Sequence, residues 1–420
     1  MSPPRRAVVA HRIDAEHLEL GGGLEVLLAA ALERVPPGGV LEVRTPSRGV
    51  ALELPGWARL AGHGAVGEAR AGDAWLVRVR RGSGARVLAG PLPPRGGGPP
   101  LRAGGELHTA DWRSGRRPPE HADPEAGFAP LGAVPEAGDT GYRWPLGNRD
   151  ALWADDVGEL VEQASAQQWD ASRDIPWEAA AGLPDDIERA VAQVMTFIAQ
   201  NEYAALYVPA GFLPRVNPQL AELLLWLSSH VHDEARHLEV FTKRALAGGQ
   251  SGYALASTEL SLSTLLEERD FTASSLLLNV LGEGTFLDLL KFVSQQAPDA
   301  ATATAARLAH RDEQRHVHFG ISHIRRAAAL DPDLRTTLVA AAEGRAAKLA
   351  SLSGMSPVLL ESLTVMAAGS LQPAELGEAA AQVRDLTRTM ERNRIRRLVS
   401  CGFDAATARH ISDLHTPNLM

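Results

Sequence analysis

The chain has 420 residues, 45% of them hydrophobic and 22% charged, which is ordinary for a soluble globular protein with room for two or three domains. Its net charge of −9, with no long basic run, argues against nucleic acid or an anionic membrane as a partner, and no run of about eighteen apolar residues signals a transmembrane helix. One cysteine, Cys401, excludes a disulfide framework, an iron–sulfur cluster and a rubredoxin-type site. The opening "MSPPRRAVVAHRIDAEHLE" has too short an apolar run for a signal peptide, so a cytoplasmic protein is expected.

Residues 1–82 mix helix and strand signals. "LEVLLAAALERV" (24–35) has helical periodicity and is stopped by "PPGG". "VLEVRT" (40–45) and "AWLVRVRR" (74–81) alternate as half-buried strands, with a second short helix expected over 50–63. This predicts a small α+β domain. The stretch "LERVPPGGVLEVRTPSRGVALELPGWARLAGH" resembles the TusA family of small sulfur carriers, with a two-layer α+β fold implied. That family carries sulfur on a Cys-Pro cysteine before its first helix; here the region reads "HLELGGGLEV". Persulfide chemistry needs a thiolate, so a degenerate carrier domain with a docking or stabilising role is expected.

Residues 83–145 are rich in Pro and Gly, as in "GPLPPRGGGPPLRAGG", and read as a linker. From 146 to 420 the chain turns rich in Ala and Leu with helical periodicity. Helices are predicted over 151–168, 186–208, 218–247, 270–297, 299–328, 332–350, 355–369 and 373–400, giving an all-α domain.

The chemistry lies in two repeats. "HVHDEARHLEVF" (230–241) and "AHRDEQRHVHFG" (309–320) each place a Glu and a His three apart, on one side of a helix. Glu234 and His237 lie among Leu227, Val231, Leu238 and Phe241; Glu313 and His316 lie among Ala306, Ala309 and Val317. Glu202, in "FIAQNEYAALYV", and Glu283, in "LLNVLGEGTFLDLL", also fall on apolar faces. A single "DEARH" would pass for a solvated helix face. Two of them, combined with two inward glutamates, would leave unpaired charge in a core unless cations compensate it. The order Glu, Glu-x-x-His, Glu, Glu-x-x-His on four long helices is that of a dinuclear iron or manganese site in a four-helix bundle. The stretch 247–270 is long enough for the crossover that ferritin-like topology requires.

Segment 186–328 resembles the ferritin-like di-iron carboxylate superfamily, nearest its oxygen-activating branch: multicomponent monooxygenases, acyl-carrier desaturases, the ribonucleotide reductase small subunit and p-aminobenzoate N-oxygenases. "QQWDASRDIPWE" (167–178) is similar to the lead-in segment of several such enzymes. The resemblance implies a ferritin-like bundle with extra helices, in which Glu202, Glu234, His237, Glu283, Glu313 and His316 are metal ligands and the catalytic centre. It also implies that Asp233 and Asp312 bond to ligand histidines, often on the opposite helix, with Arg236 and Arg315 neutralising them. His230 could be an extra ligand, since the p-aminobenzoate N-oxygenases have a third histidine, but for both His230 and His310 the layer behind the ligands or core packing is expected. His232 and His318 should face away.

Tyr203, Tyr207, Trp153, Trp169 and Trp177 read as packing residues. Gly282 and Gly284 imply space for substrate, a π-bulge or close helix packing. The expected function is an O₂-activating di-iron oxidase or oxygenase (Fe/Mn being open) acting on a small organic substrate by hydroxylation, N-oxygenation, desaturation or oxidative cleavage. An external reductase or ferredoxin would supply electrons, and members of this superfamily are often homodimers. The alternative is iron handling: ferroxidase, storage or peroxide removal.

Overall fold

The computed structural model describes residues 8–83, 98–113, 118–123, 127–131, 133, 143–250, 252–352 and 356–415. The described residues divide into two compact units, one holding those of 1–98 and 125–142, the other those of 99–124 and 143–420.

In the first unit the order is β1 (Val9–Asp14), α1 (Leu24–Glu33), β2 (Val40–Thr45), α2 (Arg48–Leu60), β3 (Gly64–Ala71) and β4 (Ala74–Arg80). The sheet runs β1-β2-β4-β3, with β1 parallel to β2 and the other pairs antiparallel. Leu24 and Leu28 of α1 and Val50 and Leu54 of α2 bury against Leu41, Val43, Val77 and Val79, making two layers. Glu42 on β2 is buried because Arg12 and Arg78, on the flanking strands, donate to its two oxygens at 3.0 and 2.9 Å. Strands β1 and β3 were not predicted. Both are edges, and most side chains of β3 stay exposed, so neither carries a strong apolar alternation.

The second unit contains α3 (Val157–Ala166), α4 (Asp185–Phe212), α5 (Ala221–Ala247), α6 (Ala256–Leu266), α7 (Phe271–Ser275), α8 (Gly284–Gln296), α9 (Ala300–Leu330), α10 (Leu334–Lys348), α11 (Pro357–Ala368), α12 (Pro373–Ser400) and α13 (Ala405–His415). It is all helical but for isolated bridges. Between α7 and α8 the helix continues through a π-helical stretch, Leu276–Glu283, so 271–296 is one rod with a wide middle. This rod, α4, α5 and α9 form the bundle; α4 packs along α5, and α8 along α9. A cluster of buried residues that includes Trp226, Phe271, Leu276 and Phe319 fills one part of the interior, and a second, including Met195, Phe197, Phe286 and Leu290, another.

One helix boundary and two unpredicted helices depart from expectation. The first predicted helix starts at 157 because Asn148 caps a separate 3₁₀ turn at Arg149–Ala151. The crossover 247–270 contains α6, a helix whose residues show little amphipathic order. Helix α13 was not anticipated at all; its Ala408 and Ile411 are fully buried.

A buried ion network braces the rods. The Arg244 guanidinium on α5 donates to both oxygens of Glu188 on α4 (2.7 and 2.9 Å) and to Asp299, which caps α9 (2.9 Å). Residues 99–113, within the predicted linker, are fastened to this unit. Arg102 pairs with Glu159, Thr109 donates to Glu162, and Trp112 and Arg113 donate to buried Glu222.

Candidate metal centre

Four rods bring the repeated motifs together. Glu202 comes from α4, Glu234 and His237 from α5, Glu283 from the end of the π-helical stretch, and Glu313 and His316 from α9. None is more than 4% exposed. Their donor atoms form two groups, each within 4.8 Å: Glu202, Glu234, His237 and Glu313, and His230, Glu234, Glu283 and His316. Glu234 belongs to both.

His230 therefore stands inside the cluster. Its Nε2 lies 2.9 Å from Glu283 and 3.4 Å from Glu234, and its ring stacks on His316 with centroids 3.8 Å apart. It sits four residues before Glu234, about 40° from the same helical phase. His310, three before Glu313, lags that phase by about 60°. It is only half-buried and feels Lys291 and Asp288 instead, so it takes no part in the cluster. His232 and His318 are exposed, as their phase requires.

Behind the cluster the two motifs cross over. His237 Nε2 faces Asp312 at 3.4 Å, and His316 Nε2 faces Asp233 at 3.3 Å, each aspartate being on the other motif's helix. A carboxylate accepting at Nε2 favours a proton there, which suits Nδ1 to serve as the ligand atom once a cation replaces the protons of the cluster. Arg236 spans Asp233 and Asp312 (2.5 and 2.9 Å), and Arg315 spans the same pair (2.8 and 2.9 Å). Two aspartates and two arginines thus balance in a closed buried square.

Trp169, read as packing, donates its indole N–H to Asp312 at 2.6 Å and lies under the Arg236 guanidinium, 4.7 Å from the ring centre. Gln168 accepts from Arg236 and Gln167 from Arg315, the latter at 2.7 Å. The "QQW" run was singled out in the sequence, but nothing in it named these partners. Asn279 was missed. It donates to Glu283 at 2.7 Å from four residues earlier, a helical spacing that could have flagged it.

The glutamate cluster lacks that balance. Glu202 Oε1, both oxygens of Glu234 and His237 Nδ1 are buried without a hydrogen-bond partner. His316 Nδ1 is 2.8 Å from Glu234 Oε1, close but not aligned to donate. Burial, and then the charge of Glu234, push the Glu202 and Glu313 carboxyls above their ordinary range. For Glu234 burial acts in the same direction but is outweighed by His237 and the other imidazoles, which hold it low. His237 and His316 are raised against burial by the carboxylates around them. Protons are the charges this cluster gathers, and cations would displace them. Divalent ions fit it: the orphaned atoms are oxygen and imidazole donors facing one another at ligand-like spacing.

The glycines beside Glu283 are explained in part. The π-bulge is present, and a Cβ on Gly284 would meet Arg397 Nε at 2.7 Å. Tyr203 and Tyr207 are about half exposed and stack on each other rather than in the core. A small open pocket of about 30 Å³, room for about one water molecule, adjoins the cluster, with Glu202, Glu283 and Glu313 in its wall.

No protein-family model and no curated protein matches the chain. Solved structures do match. A single-residue mutant of an R2-like ligand-binding oxidase with aerobically reconstituted Mn/Fe cofactor is 16% identical, covering 61% of this chain and 89% of that one at TM-score 0.39. Another mutant, anaerobically reconstituted with Mn/Fe, is 15% identical, covering 56% and 92% at TM-score 0.41. Among the described residues no helix is long and apolar enough to cross a membrane.

Proposed function

We propose that this chain is an oxidoreductase whose helical unit holds two first-row metal ions, two irons or one manganese and one iron, and acts with O₂ on a small organic substrate. The observation that supports this is the set of orphaned oxygen and nitrogen atoms in a buried carboxylate–imidazole cluster. Glu202, His237 and Glu313 would hold one ion, His230, Glu283 and His316 the other, with Glu234 shared. Such a pair supplies the electrons for O₂ reduction when bound.

The protein's own part is positional. Asp233 and Asp312 orient the imidazoles, and Arg236, Arg315, Trp169 and the two glutamines keep those aspartates charged and in place. The buried walls exclude water, which favours reaction with a bound organic molecule over release of oxidants to solvent. Reduction would come from an external reductase or ferredoxin, in a cytoplasmic setting. To the first unit, an α+β domain with no thiol of its own, we assign a docking or stabilising role.

Anaerobic titration with Fe(II) tests the centre directly. Two irons per chain are expected by elemental analysis, with Mössbauer parameters of high-spin iron in oxygen and nitrogen ligation. Glu283→Ala should lower the count to one or fewer; two tightly bound irons in that variant would sink the ligand set. Growth of mineral iron on exposure to air, without substrate-dependent O₂ uptake, would favour iron handling instead.

A further inference from the structure

Gly284 follows the cluster residue Glu283 and opens α8, where the π-helical stretch returns to α-helical winding. Its N–H bonds to the Asn279 carbonyl five residues back, and the hydroxyl of the next residue, Thr285, donates to the Leu281 carbonyl at 2.7 Å. A glycine inside a helix is destabilising relative to alanine, so its place here needs a reason. Backbone freedom is not that reason, because its φ of −56° is helical and open to any residue.

The reason lies on α12. A Cβ at 284 would sit 2.7 Å from Arg397 Nε and 3.2 Å from its Cδ and Cζ, so the root of the guanidinium fills the space a side chain would take. Arg397 is not free to swing aside. Only 12% of its side chain is exposed, and Nη1 and Nη2 both reach Asp288 Oδ2 at 3.4 Å. Asp288 lies one turn beyond Gly284 on α8, and its other oxygen accepts from Asn393, also on α12, at 2.6 Å. Arg397 Nε, the atom nearest residue 284, is buried without a hydrogen-bond partner. An unmade bond of that kind is a cost, so the side chain is held against Gly284 by its Nη pair and by packing, not by any bond of Nε.

We propose that Arg397 is a positioning residue for Glu283. It acts from outside the four rods, as a wedge at Gly284 that fixes where the π-helical stretch ends and so how far Glu283 reaches toward His230 and His316. The statement that Glu283 holds a metal ion there rests on the function proposed above; the wedge rests on the contact at Gly284. Inside the bundle Asn279 and His230 meet the Glu283 carboxylate at 2.7 and 2.9 Å. Those contacts orient the acid group but do not back up the chain behind it. Without the wedge, the first turn of α8 gains room to relax toward α12, drawing Glu283 away from the cluster. The grouping of Glu202, His237 and Glu313 with Glu234 does not include Glu283, so the effect falls on one ion of the pair.

The test uses the full chain. In anaerobic Fe(II) titrations followed by Mössbauer spectroscopy, Arg397→Ala should weaken one iron by about 10–100-fold and alter one quadrupole doublet, the other iron staying within about twofold. Gly284→Ala, which presses on the same contact from the other side, should weaken the same iron. Together the two changes should cost less than their sum, because the alanine methyl fills part of the space the guanidinium leaves. Arg397→Lys keeps the charge without the planar group against Gly284. It should fall between wild type and Arg397→Ala, and it carries the test if the alanine variant misfolds. Metal-free protein gives an independent readout. The His230 imidazole nitrogen resonances, which report the contact with Glu283, should shift in Arg397→Ala while those of His237 stay in place. Equal weakening of both irons, additive costs, or unshifted His230 resonances each overturns the proposal. Two irons bound normally by Arg397→Ala sinks this proposal alone. A wild-type chain that takes up no iron, with the His230 shift still seen in the variant, sinks the metal reading alone.

Discussion

Glu202 shows how function and stability conflict at one residue. Its carboxyl is buried, one oxygen has no partner, and burial with the neighbouring Glu234 charge raises its proton affinity. In metal-free protein, Glu202→Gln removes a strained acid and should raise stability by about 1–2 kcal/mol, read as a shift in urea midpoint. The same change should remove tight binding of one metal ion. His323 gives a pH prediction away from the cluster. It is fully buried, with Nδ1 against the Trp153 carbonyl (3.1 Å) and Nε2 against Thr272 (3.0 Å), and burial lowers it from 6.5 to about 4. Protonation therefore favours the unfolded chain. Its contribution is full above about pH 6.5 and is lost as pH falls toward 4, about 3 kcal/mol at most. The stability difference between wild type and His323→Gln should shrink over that window; a difference constant from pH 7 to about 4.5 would refute the assignment.

The element that most shapes the centre is the π-helical stretch Leu276–Glu283. Its extra residue per turn offsets the phase of everything after it, so Glu283 is delivered to the cluster while Asn279 stays four residues back to hold it. The stretch packs against α9 at Gly320, where an added Cβ would sit 2.7 Å from the Asn279 Cβ. Gly320→Ala should cost about 1–3 kcal/mol through overpacking. It should also displace Asn279 and loosen Glu283, seen as weaker uptake of the second iron in the Fe(II) titration. Gly282 and Gly284 announced an irregularity in the sequence, yet three explanations were open until the helix was seen to widen.

For the whole molecule, the boundary of the helical unit matters more than its length. Arg113 and Trp112 donate to Glu222 on α5, which is only 4% exposed. A chain beginning at residue 143 would lose the charge-assisted hydrogen bonds of Trp112 and Arg113 to Glu222 while opening that carboxylate to water, at a cost of about 3 kcal/mol. A chain beginning at 99 keeps the pairs. Expressed side by side, the longer fragment should retain cooperative thermal unfolding and iron binding, and the shorter should melt roughly 6–12 °C lower, at about 2–4 °C per kcal/mol. Equal melting of the two fragments would show that residues 99–113 are dispensable.

The sequence by itself determined that four helical faces each carried a glutamate that water could not reach, two of them with a histidine one turn on. Periodicity places a residue on a face, and an acid on an apolar face demands compensation, so the cluster was legible from spacing alone. Only the tertiary structure decided which side chains from different rods meet. His230 and His310 looked equivalent on their helices, and packing put one in the cluster and the other beside Lys291. The indole of Trp169 on Asp312 and the Arg244 bridge to Glu188 and Asp299 are likewise relations between distant segments. Local pattern carries no record of such relations, because they are set by where rods cross and not by any residue's neighbours in the chain.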